Sequence, residues 1–249
     1  MTGIRALARI ASADFNIMQG GEVQGFVRRL KAEGYRTLGT VASSAVYFNA
    51  ATAYRSIGLD HVEFLGDTRA AKAEEDGLLF DGRLFEANLA RLRRAAAAET
   101  PGLLFNYVVG IYGHYPYRDN YSKRPDKVVT SGGDHEVRRI ANQFFYRTQA
   151  LGRFLAELRT LDPEAIIYVT SDHLPPIFDT RFRPPDGHFR NSALLLVAGR
   201  PVDVSGRRYF QIPGLIWDLL TEVPAVRPGD PAVLEALYFR ALRESLRPE

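Results

Sequence analysis

Asp172 and His173 stand side by side at the end of the apolar run Ala165-Ile166-Ile167-Tyr168-Val169-Thr170. One carboxylate oxygen and one imidazole nitrogen make half of a hard-to-borderline site for a divalent metal. The run has the pattern of a strand buried on both faces, and Pro175-Pro176 stop regular structure beyond it. Ligands of open α/β sheets sit just past the carboxyl ends of strands, where this pair falls. The alternative is structural: Asp172 caps a turn and His173 packs beside it. Two more histidines, His114 and His188, follow or neighbour apolar runs, so three imidazoles are expected along one sheet edge; His61 and His135 complete the five. A divalent metal held there would activate a nucleophile and polarise a phosphoryl or sulfuryl oxygen. His114 would hydrogen-bond the substrate or protonate a leaving group.

The elements that carry these residues follow from periodicity and punctuation. Val23 to Glu33 reads as an amphipathic helix stopped by Gly34, and Tyr35 to Val41 as a strand. Tyr47 to Ile57 is a helix ended by Gly58, and His61 to Leu65 a short strand. Asp81 is a candidate N-cap for a helix over 82–98. Leu103 to Val109 is a buried strand running into the glycine- and aromatic-rich segment Gly110 to Tyr117, and 118–133 is a long polar loop. Asp134 to Leu161 carries the longest helical signal, with Val137, Ile140, Ala141, Phe144, Phe145, Thr148, Leu151, Leu155 and Leu158 at three- and four-residue steps. A strand over Ala193 to Val197 and helices over Ile212 to Thr221 and Pro231 to Leu246 close the chain. Helix–strand alternation of this kind predicts parallel βαβ units: an α/β fold with a mostly parallel central sheet flanked by helices. With no repeat or linker composition, 1–249 reads as one domain.

Composition narrows the function. Of 249 residues, 46% are hydrophobic and 24% charged, as in globular chains. The 32 basic residues nearly balance 29 acidic ones, and a net charge of +3 does not argue for nucleic-acid binding. No cysteine is present, which excludes disulfides, thiolate metal sites and a cysteine nucleophile. No apolar run reaches spanning length, and residues 1–18 lack the layout of a signal peptide.

Five short motifs, taken in order, resemble a known family. They are Gly34-Tyr35-Arg36-Thr37; Tyr47-Phe48-Asn49 with Tyr54-Arg55-Ser56-Ile57-Gly58-Leu59-Asp60; Gly77 to Asp81; Gly113-His114-Tyr115-Pro116-Tyr117; and Ser171-Asp172-His173. Over roughly 34–220 this order and spacing resembles the lipoteichoic-acid-synthase-like sulfatases of the alkaline phosphatase superfamily. The resemblance implies an alkaline-phosphatase/sulfatase-like fold and a membrane-anchored enzyme on the extracytoplasmic face of the bacterial inner membrane. It implies transfer of phosphoglycerol or phosphoethanolamine between lipid and glycan acceptors, through one divalent metal, commonly Mn2+, with Mg2+ or Zn2+ as alternatives. Asp172 and His173 match the metal pair and His114 the substrate-contacting histidine; His188 falls where related enzymes often place another active-site histidine. The expected partner is thus a lipid- or glycan-linked phosphate or sulfate ester.

The departures shape a rival expectation. Two positions where the family has phosphate contacts, a His and an Arg, hold Val41 and Ala50 here. Leu174 and two prolines replace the glycine after the metal pair. The family's metal-binding Glu and its Thr or Ser nucleophile precede the Gly-Tyr segment. This chain instead opens Met1-Thr2-Gly3-Ile4, similar to the stretch that follows the nucleophile. Thr2 and Ser12 offer hydroxyls, neither in the expected context. A reading frame extending upstream, encoding membrane helices, first strand, Glu and nucleophile, is therefore expected. The rival is a remnant or pseudoenzyme serving as a binding module.

Overall fold

A computed structural model describes residues 20–68, 77–98, 102–119, 121–131, 135–173, 176–178 and 191–221. His188 and the closing helix expected over Pro231 to Leu246 lie outside the described residues.

Two glycines set the first βαβ unit. Helix α1 (Phe26–Ala32) ends where Gly34 takes φ +87, which lets the Gly34 and Tyr35 amides bond back to Lys31 and Leu30. Strand β1 (Arg36–Val41) follows. The expected helix over Tyr47 to Ile57 is broken: a 3-10 turn (Tyr47–Asn49) carries Phe48 and Asn49 at positive φ before α2 (Ala50–Ile57) begins. Gly58 at φ +112 ends α2, and β2 (His61–Phe64) pairs parallel with β1.

Helix α3 (Asp81–Ala96) leads to β3 (Leu104–Val109), parallel to the other side of β1. The sheet order β2-β1-β3 has helices on both faces, as the sequence predicts. One face packs Val41, Tyr54, Ile57 and Leu59 with Val62, Phe64, Phe105, Tyr107 and Val109; the other packs Ala42, Leu65, Leu79 and Leu84 with Phe85 and Val108. Beneath α3, Asn88 and Asn106 exchange amide hydrogen bonds at 2.9 Å, and Asn88 and Arg91 both donate to Thr40 Oγ1 at 2.9 Å. This polar seam satisfies groups that burial would otherwise leave unpaired.

Helix α4 (His135–Leu161) packs on α3 through the stacked rings of Phe85 and Phe154, 4.5 Å apart, and an Arg93–Glu157 ion pair at 2.6 Å. Its buried residues are Ile140, Asn142, Gln143 and Phe154, whereas Phe144 and Phe145 are 40% and 39% exposed. The apolar stripe predicted the helix but not its inner face. The reason is the strap over 118–131, which claims α4 by polar contacts. Asn142 Oδ1 accepts the amides of Lys127 and Val128, Arg139 pairs with Asp119 at 2.8 Å, and Tyr146 donates to the Pro125 carbonyl.

The expectation for Ala165 to Thr170 needs correction. Strand β4 (Ile166–Thr170) is half-exposed along most of its length and pairs antiparallel with β5 (Ala193–Val197), which turns through Ala198-Gly199 into antiparallel β6 (Arg200–Val202). Both turn residues have positive φ, at 47 and 73, as the type I′ form of a two-residue hairpin requires. Helix α5 (Ile212–Leu220) follows and rests on α1 where the Arg29 guanidinium covers Trp217, 3.4 Å from the ring centre.

Candidate functional site

Because β1, β2 and β3 are parallel, their carboxyl ends share one edge, and the loops leaving them converge there. The loop after β1 carries Tyr47, and the loop after β3 carries His114; Tyr47 Oη lies 3.4 Å from His114 Nε2. His114 Nδ1 sits 2.5 Å from the Tyr115 carbonyl, which only accepts, so Nδ1 carries the proton in the neutral ring. Nε2 is left to face Tyr47 and solvent as an acceptor, or as a second donor once the ring is protonated.

The segment after β4 meets the same edge. Tyr117 donates to the Pro176 carbonyl at 3.1 Å, and the Tyr115 ring packs edge-on against Phe178, 5.5 Å away. The Phe178 amide in turn donates to Glu136 at 3.1 Å. The structure therefore brings the two loops bearing His114 and Asp172-His173 into contact.

Asp172 and His173 are exposed at the tip of β4. The His173 amide donates to Asp172 Oδ1 at 2.9 Å, and His173 Nε2 lies 3.5 Å from Asp172 Oδ2. The first contact is the capping role of the alternative reading; the second shows both side chains turned to one side, as joint ligation requires. Among the described residues no third His, Cys, Asp or Glu joins them in a cluster able to hold a metal ion. The donor chemistry fits half of a divalent site.

Two phenols that feel the Asp172 charge were given no site role by the sequence, although Tyr54 stands in one of its motifs. Tyr54 of α2 and Tyr107 of β3 are hydrogen-bonded to each other with rings 5.7 Å apart, and the Asp172 charge reaches both. Burial pushes the Tyr107 phenol up to about 12, with Asp172 adding to the rise, and burial raises Tyr54 further. Both stay protonated donors at neutral pH. Neither is a residue type that stands out in sequence, since an aromatic at a core position reads as packing.

Val41 and Ala50, at the two departed positions, are 1% and 4% exposed inside the apolar cluster with Tyr54. They are packing residues and offer nothing to an anion.

Asp81 is not an N-cap. It is the first residue of α3, behind Phe80, and no side-chain cap bond forms. Its carboxylate is buried and meets Arg147 of α4 at 3.2 Å. Burial raises its pKa, opposed by Arg147 and the backbone amides of Ile111 and Tyr112.

Two of the motifs lie at the far edge. Thr37 and Asp60, from the Gly-Tyr-Arg-Thr and Gly-Leu-Asp stretches, tie the amino ends of β1 and β2. Asp60 Oδ2 accepts the Thr37 amide at 3.1 Å and the Thr37 hydroxyl at 2.9 Å, and Lys31 pairs with Oδ1 at 2.5 Å.

The family model for Sulfatase matches residues 6–224, and the chain belongs to the sulfatase family. That span is wider than the 34–220 over which the motifs run. Among solved structures, the lipoteichoic acid synthase LtaP from Listeria monocytogenes superposes with a TM-score of 0.60 at 16% identity, covering 73% of this chain and 48% of that one. A protein in the alkaline phosphatase superfamily from Vibrio parahaemolyticus gives 0.56 at 20% identity, covering 79% and 45%. At these identities the likeness is one of fold, and it makes the α/β architecture alkaline-phosphatase/sulfatase-like. The chain spans about half the length of these structures. No curated protein matches it. Among the described residues no helix is long and apolar enough to cross a membrane.

Proposed function

We propose that the chain forms part of a metal-dependent phospho- or sulfo-group transferase or hydrolase acting on a lipid- or glycan-linked ester of the bacterial cell envelope, at the extracytoplasmic face of the membrane. Phosphoglycerol or phosphoethanolamine is the group transferred. The observation that supports this is the contact between the loops of His114 and Asp172-His173 through Tyr117–Pro176 and Tyr115–Phe178. Asp172 and His173 would hold the metal, Mn2+ first, with Mg2+ or Zn2+ as alternatives; His188 is a second substrate contact. A bound divalent ion supplies Lewis-acid polarisation of the ester and lowers the pKa of an attacking hydroxyl. His114 presents Nε2 toward substrate, donating to a phosphoryl oxygen or a leaving group when protonated, while the Tyr115 carbonyl fixes its ring and Tyr47 borders it. The nucleophile and the remaining metal ligands are not assigned to residues of this chain.

The competing reading is a binding module without catalysis, and a specific observation favours it: both positions expected to contact phosphate are buried apolar residues. Manganese-dependent thermal stabilisation decides between them. A metal at a hundred times its dissociation constant stabilises the folded state by about 2.7 kcal/mol. A rise that Asp172→Ala abolishes supports the metal pair; no rise in the parent, or one untouched by Asp172→Ala, sinks it.

A further inference from the structure

We propose that the ion pair between buried Asp81 and half-buried Arg147 is the device that positions His114, an inference that rests on the reading of His114 as a substrate contact. Asp81 is 2% exposed at the start of α3, and Arg147 reaches it from α4. Asp81 Oδ2 meets Arg147 Nε at 3.2 Å, while Oδ1 accepts the Tyr112 amide at 3.4 Å. The turn between β3 and His114 is closed on both flanks by this pair. A Cβ at Gly110 would lie 2.4 Å from Asp81 Oδ1, and a Cβ at Gly113 would lie 2.3 Å from Arg147 Nη1. A Cβ at Gly110 would push the short Asp81 side chain out of its place, and one at Gly113 would displace the end of the Arg147 guanidinium, so the backbone approaches one partner of the pair at each end.

His114 comes next in the chain. Its amide and that of Gly113 both bond the Ile111 carbonyl at 3.0 Å, so the imidazole inherits the orientation of the turn. On the outer side Tyr112 is held too, its hydroxyl accepting from Arg124 at 2.9 Å while its ring packs edge-on to Phe80 at 5.1 Å. Apolar packing would fill the same space. A carboxylate aimed at backbone amides is directional, and an incorrectly docked turn would leave a buried charge unpaired, a cost that excludes misplaced geometries. Asp81 and Arg147 touch no substrate in this arrangement and act through the turn.

The test uses the full chain with imidazole Cε1–H spectra, His114 being assigned by the signal lost in His114→Gln. Arg147→Met and Asp81→Asn are expected to shift or broaden the His114 signal and to speed exchange of the Tyr112, Gly113 and His114 amides at least tenfold. Arg147→Lys, which keeps the charge, is expected to restore part of both. Arg93→Ala removes a different contact between α3 and α4 and is expected to leave His114 unchanged. An unaltered His114 signal and exchange rate in Arg147→Met would overturn the proposal, as would an equal disturbance from Arg93→Ala. If Asp81→Asn does not fold, Arg147→Met carries the test, since its side chain is 31% exposed. Failure of the functional reading is separately visible: His114→Gln would leave metal-dependent orthophosphate binding unchanged while spectra of the parent and Arg147→Met still report the clamp.

Discussion

Asp60→Asn tests whether the motif residues at the amino ends of the strands hold the fold and nothing else. Asp60 Oδ2 takes the Thr37 amide and hydroxyl, Oδ1 takes Lys31, and the Asp60 amide donates back to the Thr37 hydroxyl at 2.8 Å. Burial alone would raise the carboxyl's pKa, but hydrogen bonds from Lys31 and Thr37 bring it below the usual range. An amide keeps one acceptor oxygen and turns its donors toward the Lys31 ammonium. Hydrogen bonds to a charged acceptor contribute about 1.5–3 kcal/mol, and the asparagine retains part of that. The Lys31 pair, with both side chains roughly a third exposed, adds less than about 1 kcal/mol. The net loss is about 1–2 kcal/mol, or roughly 2–8 °C in melting temperature for a chain of this size. The pH dependence has a definite sign. A carboxyl whose folded pKa is depressed contributes stability above its unfolded value, lost as pH falls through the folded one. Thermal melts should therefore show the gap between parent and variant full at neutral pH and closing in acid. A gap of the same size at pH 7 and in strong acid would refute the electrostatic account. Loss of manganese-dependent stabilisation in Asp60→Asn would refute the claim that this edge is remote from the site.

Asn88→Ala removes both hydrogen bonds that Asn106 makes with it, in a seam where Asn88 is 1% exposed, and stranding that amide should cost about 1–3 kcal/mol in chemical denaturation. Val41→His restores the expected side chain at a position 1% exposed in an apolar cluster, and should destabilise by about 1–3 kcal/mol. Because desolvation depresses the folded pKa of a buried imidazole, that penalty should grow as pH falls below its unfolded value near ~6.5, which melts at pH 5.5 and 8 would read.

Sequence periodicity located the parallel unit because each of its elements ends on a glycine or a strand-to-loop break with one local solution, as at Gly34 and Gly58. Periodicity failed where partners decide. Nothing local tells α4 to bury Asn142 and Gln143 and to expose Phe144 and Phe145; the strap over 118–131 does that from a distance. Nor does a short apolar run announce whether it will pair parallel or antiparallel, and β4 chose β5. At the candidate site, chemistry-bearing types such as His114, Asp172 and His173 stood out in the sequence, and the structure sets Tyr115 and Tyr117 against Phe178 and Pro176 near them, though β4 lies in a sheet separate from β1, β2 and β3. Tyr47, Tyr54 and Asp81 stood in the motifs without a site role, and Tyr107 and Arg147 drew no notice, because an aromatic or an ion pair acquires its meaning only from what lies across from it.

The distribution of charge constrains any anionic ligand. Two guanidiniums that lie against the His114 loop are already committed, Arg147 to Asp81 and Arg124 to Tyr112 and Phe80. Val41 and Ala50 contribute none. Asp172 is itself an anion, and its charge reaches two phenols that burial keeps protonated. An ester oxygen approaching the Asp172 end of this edge therefore meets a carboxylate, and His114 supplies at most one charged donor. Coulomb's law makes such an approach unfavourable unless the Asp172 charge is neutralised. A divalent ion on Asp172 and His173 would reverse the sign, since a bound cation is the largest local charge in a site. Anion binding by this chain should accordingly be strictly metal-dependent under the enzymatic reading, and a measurable affinity for orthophosphate in chelator, lost on Asp172→Ala, would contradict it.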